Sequence, residues 1–184
     1  MKILIAMTGA SGAAIGFRLL EELSATRHTI YGIISENARW VIRHELGENA
    51  KPPSVVYYDE YDQMAPFNSS SFLLDAMVIT PCSMKTLAAI ASGYSHSLIT
   101  RTAENMLRVR SKLILMPRET PLSTIALDNM TKLSREGAII LPPTVAYYHK
   151  PEVIDDITKF FVGKILDILK IPNQLYRRWG LNPD

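Results

Sequence analysis

Apolar residues fall in five short continuous runs, at 2–7, 29–34, 76–80, 112–116 and 137–141. Between them the apolar spacing lengthens to three and four, near 12–25, 36–46, 83–92, 99–110 and 121–135, with a last such segment at 151–170. Apolarity that is continuous rather than alternating within a run predicts strands covered on both faces, and the longer spacing predicts helices. Strands alternating with helices through right-handed crossovers predict an α/β fold of three layers, α/β/α, around a doubly wound, mainly parallel sheet in a single domain. Segment 47–72 breaks the rhythm, with Pro52-Pro53, several Tyr and Asp, and Asn68-Ser69-Ser70-Ser71. It reads as an excursion with a short edge strand and a mobile loop. The domain is expected over 1–170, followed by a tail at 171–184 that holds Arg177, Arg178 and Trp179.

Bulk properties narrow the function classes. The chain has 184 residues, 47% of them hydrophobic, which suffices for a core of its own. A net charge of +2 calls for neither a nucleic acid nor an anionic membrane surface. One cysteine rules out an internal disulfide framework and fits the cytoplasm. The first residues form an apolar run with no basic n-region, so no signal peptide is expected. No apolar stretch reaches the ~18 residues of a membrane span.

The candidate chemistry lies where the runs end, since open α/β sheets bind ligands at the carboxyl ends of their strands. After 112–116 come Pro117-Arg118-Glu119-Thr120-Pro121, which put a guanidinium beside a carboxylate. After 2–7 come Thr8-Gly9-Ala10-Ser11-Gly12, small enough for backbone N–H groups and a helix N-terminus to face an anion or a flat ring. The pattern is not G-x-G-x-x-G; Gly16 is spaced to ease helix–sheet packing. Ser11 and Ser35 follow two different runs, and each either caps a helix or bonds a ligand. A Rossmann-like domain for an ordinary dinucleotide would carry an acid after the second strand, where Ser35 stands.

Other features point away from familiar chemistries. Cys82, in Pro81-Cys82-Ser83, has no sequence neighbour suited to lower its pKa and reads as packing. His28, His44, His96 and His149 lack zinc-ligand spacing. Asp155-Asp156 has no partner acid three residues on, so the magnesium-binding motif of ordinary prenyl synthases is missing. Arg101, Arg108, Arg118 and Lys164 lie in separate segments; converging, they would clamp a phosphate, and dispersed they are surface charge.

Seven pieces in order resemble the UbiX-type flavin prenyltransferases, within the family of homo-oligomeric flavin-containing Cys decarboxylases. They are Ala6-Met7-Thr8-Gly9-Ala10-Ser11-Gly12, Met64-Ala65-Pro66, Pro81-Cys82-Ser83, Pro117-Arg118-Glu119, Asn129-Met130-x-Lys132-Leu133-Ser134, Tyr148-His149-x-Pro151 and Arg178-Trp179-Gly180. The resemblance implies a cytoplasmic, metal-independent enzyme that joins a dimethylallyl group from dimethylallyl monophosphate to N5 and C6 of reduced FMN. The prenylated product would serve a UbiD-type decarboxylase. It further implies a homododecamer built from trimers. The division read from the chain then makes 1–170 the flavoprotein domain and the tail at 171–184 a candidate lid over its site. Relatives that decarboxylate cysteinyl substrates carry Pro-x-Met-Asn-x-x-Met-Trp, where this chain has Pro117-Arg118-Glu119-Thr120-Pro121. The alternatives are such an oxidative decarboxylase and a non-catalytic FMN carrier.

Carried over residue by residue, the resemblance gives Gly9, Ala10, Ser11, Ser35, Ser83 and Arg101 to FMN. It gives Arg108, Arg118, Tyr148, Lys164 and Trp179 to the prenyl donor, with Glu45 closing the site from a neighbouring subunit. Glu119 becomes the proton-transferring carboxylate, and Ser11 its relay near the flavin N5. The chain departs from the family at Arg108, where a Lys is usual, at Lys164, where an Arg is usual, and at Gln63, where an aromatic usually precedes Met-Ala-Pro.

Overall fold

Six strands form one sheet: β1 (Lys2–Met7), β2 (Thr29–Ile34), β3 (Val56–Tyr58), β4 (Ala76–Cys82), β5 (Lys112–Pro117) and β6 (Ile139–Ile140). Their order is β3-β2-β1-β4-β5-β6, and every pairing is parallel. The helices are α1 (Ala13–Ser24), α2 (Glu36–Leu46), α3 (Met84–Ser92), α4 (Leu98–Arg108), α5 (Thr124–Arg135) and α6 (Ile154–Leu169). This computed structural model describes residues 1–180, so the last four residues of the expected tail lie outside the described residues. The chain divides into two compact units, Met1–Pro142 and Pro143–Asp184.

The first unit has the Rossmann-like three-layer α/β/α arrangement. From β1 the chain winds outward through β2 to β3, and from β4 it winds the other way through β5 to β6. Right-handed crossovers in opposite directions put α1 and α2 on one face and α3, α4 and α5 on the other. The continuous apolar runs have the expected consequence: Ile3, Leu4, Ile5 and Ala6 are all fully buried, as are Ala76 through Ile79 and Leu113 through Met116. On the α3–α5 face, Leu4, Met77, Ile79 and Leu115 join Leu87, Ile90, Ala103, Met106 and Leu133 in one core. Gly16 is where α1 approaches the sheet: a Cβ there would stand 2.6 Å from Thr80 O and 2.7 Å from Met7 Cε.

Among the boundaries that differ from the sequence reading, two have a clear physical cause. The fourth strand continues through Pro81 to Cys82, because Pro81 O accepts from Thr8 N at 3.1 Å and Cys82 O from Arg118 N at 3.2 Å. The fifth helix begins only at Thr124, where the Ser123 hydroxyl accepts from Ala126 N at 3.2 Å and fixes the start. The 47–72 excursion does supply an edge strand, β3, beside β2. Its next turn, Pro66–Asn68, inserts Phe67 against Tyr58 with ring centroids 4.8 Å apart. Asn105 Nδ2 secures that turn by donating to Phe67 O at 3.1 Å and Asn68 O at 3.0 Å.

In the second unit α6 begins under Asp156, whose Oδ2 accepts from Glu152 N at 3.0 Å and Val153 N at 3.2 Å. Asp155 pairs with Lys159 at 2.7 Å, so both acids of that doublet serve the helix. Among the described residues no helix is long and apolar enough to cross a membrane.

Candidate active site

The sheet reverses its winding between β1 and β4, the position at which open sheets leave a crevice. In-register pairing from Lys2↔Thr29 to Met7↔Ile34 ends β1 and β2 together, and Ser35 N donates to Met7 O at 3.1 Å. Across the reversal, Thr8 ties the two halves: its Oγ1 donates to Pro81 O at 2.9 Å and accepts Ser83 N at 2.7 Å. Thr8, Gly9, Ser35, Asn37, Ser83 and Ser97 therefore line one cleft, with a cavity volume of about 90 Å³.

Three helices start at that cleft. Ser35, Ser83 and Ser97 are the caps of α2, α3 and α4, accepting from Ala38, Thr86 and Thr100 backbone N–H groups. Capping and lining the cleft are thus the same placement for Ser35 and Ser83. Helix N-termini and Lys85 favour an anion here. Of the two acids in the cleft, Glu60 accepts the Glu36 N–H at 2.8 Å at the start of α2. A second cavity of about 390 Å³ shares His96 and Ser97 with the first and adds Gln63, Asn68 and Arg101.

The first turn behaves differently. Gly12, not Ser11, precedes α1, and no side chain of its own caps that helix. Glu45, near the end of α2, does so instead: its Oε2 accepts Gly12 N at 3.0 Å and Ala13 N at 2.9 Å within the same chain. The Ser11 side chain stays exposed beside this contact, and Ala10 is buried.

The candidate cations are held in two arrangements within the first unit. Glu104 takes Arg101 Nη1 at 3.0 Å and also bonds Arg108 one turn further on α4. Ser95 Oγ donates to the same carboxylate at 2.8 Å. The Ser95 hydrogen bond, with those from Arg108 and Arg101, lowers the Glu104 pKa against the opposing effect of burial. Arg118 and Glu119 stand at the end of β5, with Nη1 and Oε1 4.0 Å apart. Glu119 Oε1 accepts Thr120 N at 3.1 Å, while the buried Arg118 Nε has no hydrogen-bond partner among the described residues. Arg118 thus has an N–H donor to offer an anionic group at this strand end, with the Glu119 carboxylate close by. Cys82 is fully buried, and burial pushes its thiol up to about 12.

Tyr148, Lys164 and Trp179 come together in the second unit. The Tyr148 and Trp179 rings meet edge to face at 5.8 Å, and Tyr148 packs on Phe160 at 5.9 Å. Lys164 Nζ lies 5.0 Å from the Tyr176 ring centroid and 5.4 Å from that of Phe160. Burial pulls the Lys164 ammonium down, but the Tyr176 and Tyr148 hydroxyls outweigh it and raise its pKa.

Sequence reasoning missed Thr8, Asn37, His96 and Ser97 as cleft residues. A signal existed for Ser97: Ser97-Leu98-Ile99-Thr100 is a capping box, with Thr100 Oγ1 accepting Ser97 N at 3.1 Å. The donor set fits a flavin mononucleotide: serine hydroxyls and helix N-termini suit a phosphate and its polyol. His96 Nδ1 and Arg118 Nε are further buried polar atoms without partners among the described residues.

A family model described as Flavoprotein matches residues 1–174. The flavin prenyltransferase UbiX of Methanocaldococcus jannaschii is 48% identical over 183 residues, covering 98% of this chain and 99% of that protein. A crystal structure of AnUbiX (PadA1) in complex with FMN and dimethylallyl pyrophosphate superposes with a TM-score of 0.92 at 40% identity, covering 97% of each chain. The dodecameric FMN-dependent UbiX-like decarboxylase of Escherichia coli O157:H7 gives a TM-score of 0.90 at 39% identity, covering 97% of this chain and 99% of that one. With its switch-point cleft, its Pro117-Arg118-Glu119 junction and these near-full-length likenesses, the chain belongs to the UbiX-type flavin prenyltransferases of the flavoprotein family.

Proposed function

We propose that this protein is a flavin prenyltransferase acting in the cytoplasm, as a homododecamer, to make prenylated FMN for a UbiD-type decarboxylase. The observation that carries the reading is the Arg118–Glu119 pair at the end of β5, whose buried Nε lacks an acceptor among the described residues. A dodecameric relative and a relative bound to FMN and a dimethylallyl donor support the assembly and the substrates.

Reduced FMN supplies the nucleophile, at N5 and C6, that takes the dimethylallyl group. Gly9, Ala10, Ser11, Ser35, Ser83 and Arg101 bind it through small turns, hydroxyls and charge. Phosphate leaves the donor only if its charge is neutralised and a proton reaches it. Arg118, Arg108 and Lys164 supply the positive charge, and Glu119 moves the proton, with Ser11 relaying it near N5. Tyr148 and Trp179 offer π faces to the allylic cation that forms as the C–O bond breaks. Glu45 closes the site from a neighbouring subunit, its carboxylate seated on the first turn of its own chain. The tail at 171–184 acts as a lid.

Phosphate release tests this reading. With reduced FMN present, dimethylallyl monophosphate or diphosphate should release phosphate or pyrophosphate, and the faster of the two identifies the donor. Release that proceeds equally without flavin would contradict it.

A further inference from the structure

The tail that follows α6 is fastened to that helix through one carboxylate. Asp167, in the last turn of α6, accepts four hydrogen bonds. Its Oδ1 takes Arg178 Nη2 at 2.6 Å and Asn173 Nδ2 at 2.9 Å. Its Oδ2 takes the Tyr176 hydroxyl at 2.6 Å and Arg178 Nη1 at 2.9 Å. A bidentate guanidinium–carboxylate pair fixes orientation as well as distance. A steric seat reinforces it, since a Cβ at Gly163 would stand 2.5 Å from Tyr176 Cδ1.

What this fastening carries is specific. Arg178 immediately precedes Trp179, whose ring crosses Tyr148 at 88° while remaining 81% exposed. With so little of Trp179 packed, its place beside Tyr148 depends on where Arg178 is held. Tyr176 lies under Lys164 Nζ, so pinning the Tyr176 hydroxyl also fixes the surface on which that ammonium rests. The carboxylate further sorts the two cations: Arg178 is held in the bidentate pair, while Lys164 has the Tyr176 and Tyr148 hydroxyls for partners.

We propose that Asp167 is a positioning residue for the prenyl-donor side of the site, setting Trp179 through Arg178 and Lys164 through Tyr176. This inference rests on the flavin prenyltransferase reading. Burial raises the Asp167 pKa, but the hydrogen bonds from Arg178, Tyr176 and Asn173 outweigh it and hold the carboxyl below its ordinary value, so the latch is charged at neutral pH.

The test compares wild type with Asp167→Asn and Asp167→Ala, all in a Trp40→Phe background so that Trp179 is the sole fluorophore of its kind. Trp179 anisotropy should fall in both variants, more in Asp167→Ala. The donor KM should rise about tenfold or more while FMN affinity stays within about twofold. Asp167→Glu should restore part of both. Unchanged anisotropy, or an unchanged donor KM, overturns the proposal. Parallel losses of FMN affinity and donor KM overturn it too, since they mark general unfolding. Should wild type transfer no prenyl group, the activity reading fails by itself, and anisotropy alone then decides whether Asp167 holds the tail.

Discussion

Ser83 donates its backbone N–H to Thr8 Oγ1 at 2.7 Å, and that hydroxyl in turn donates to Pro81 O at 2.9 Å. One side chain thus joins the ends of β1 and β4, the two strands between which the sheet reverses direction. Thr8→Val keeps the shape and removes both side-chain bonds, leaving the Ser83 N–H without its acceptor while Pro81 O keeps the Thr8 backbone N–H at 3.1 Å. The expected cost is about 1–3 kcal/mol of stability, with weaker FMN binding. Denaturant unfolding and flavin titration check it; full retention of both would show that packing and the Thr8 N–Pro81 O backbone bond suffice to hold the junction.

Gly16→Ala should be among the more damaging small substitutions. The new methyl would meet a backbone carbonyl, Thr80 O, at 2.6 Å, and Met7 Sδ at 2.9 Å. The methionine can move; the strand cannot do so without disturbing its ladder. Overpacking of this kind costs about 1–3 kcal/mol, read as a lowered thermal midpoint.

Glu104 makes stability depend on acid. Its folded pKa lies below the ordinary 4.5, so its pairing with Arg101 and Arg108 is fully present above that value and is lost as pH falls through the lower folded value. Glu104→Gln should therefore flatten the fall in stability below the ordinary carboxylate range and loosen both arginines at neutral pH. Unfolding curves across that acid range decide it. Because the pair is partly exposed, added salt should shrink the difference.

Cys82 should be chemically silent. With its thiol pushed up to about 12 by burial, it is protonated at neutral pH and shielded from reagents. Iodoacetamide should label the protein only after unfolding, and Cys82→Ala should leave prenyl transfer within about threefold of wild type if its role is packing. Rapid labelling of native protein with loss of activity would reverse that assignment.

Glu119→Gln preserves size and removes the transferable proton. FMN binding should survive, and prenylation should drop by about 10²–10⁴-fold, the usual scale for a lost general acid. Unchanged turnover would remove Glu119 from the mechanism.

The sheet was legible because its strands are buried on both faces. Continuous apolarity placed β1 at Lys2–Met7 and β2 at Thr29–Ile34, and β3 emerged inside the predicted excursion. The end of β4 was hidden because Pro81, which cannot donate to a ladder, reads as a strand stop, while its carbonyl still accepts from Thr8. Strand-end logic singled out Ser35 and the Arg118–Glu119 junction, and the resemblance added Ser83. Ser97 and Asn37 escaped it because their place in the cleft depends on strand order, which local periodicity does not encode. The seat of Tyr176 on Gly163 is equally invisible in a linear pattern.

The most direct measurement is the mass of the flavin released after anaerobic incubation of purified protein with reduced FMN and a dimethylallyl donor, mono- or diphosphate, in excess EDTA. The account predicts a flavin heavier by one C5 prenyl unit, formed by wild type and not by Glu119→Gln. Unmodified flavin with both donors, from a protein that demonstrably binds FMN, would contradict it and leave a decarboxylase or a flavin carrier.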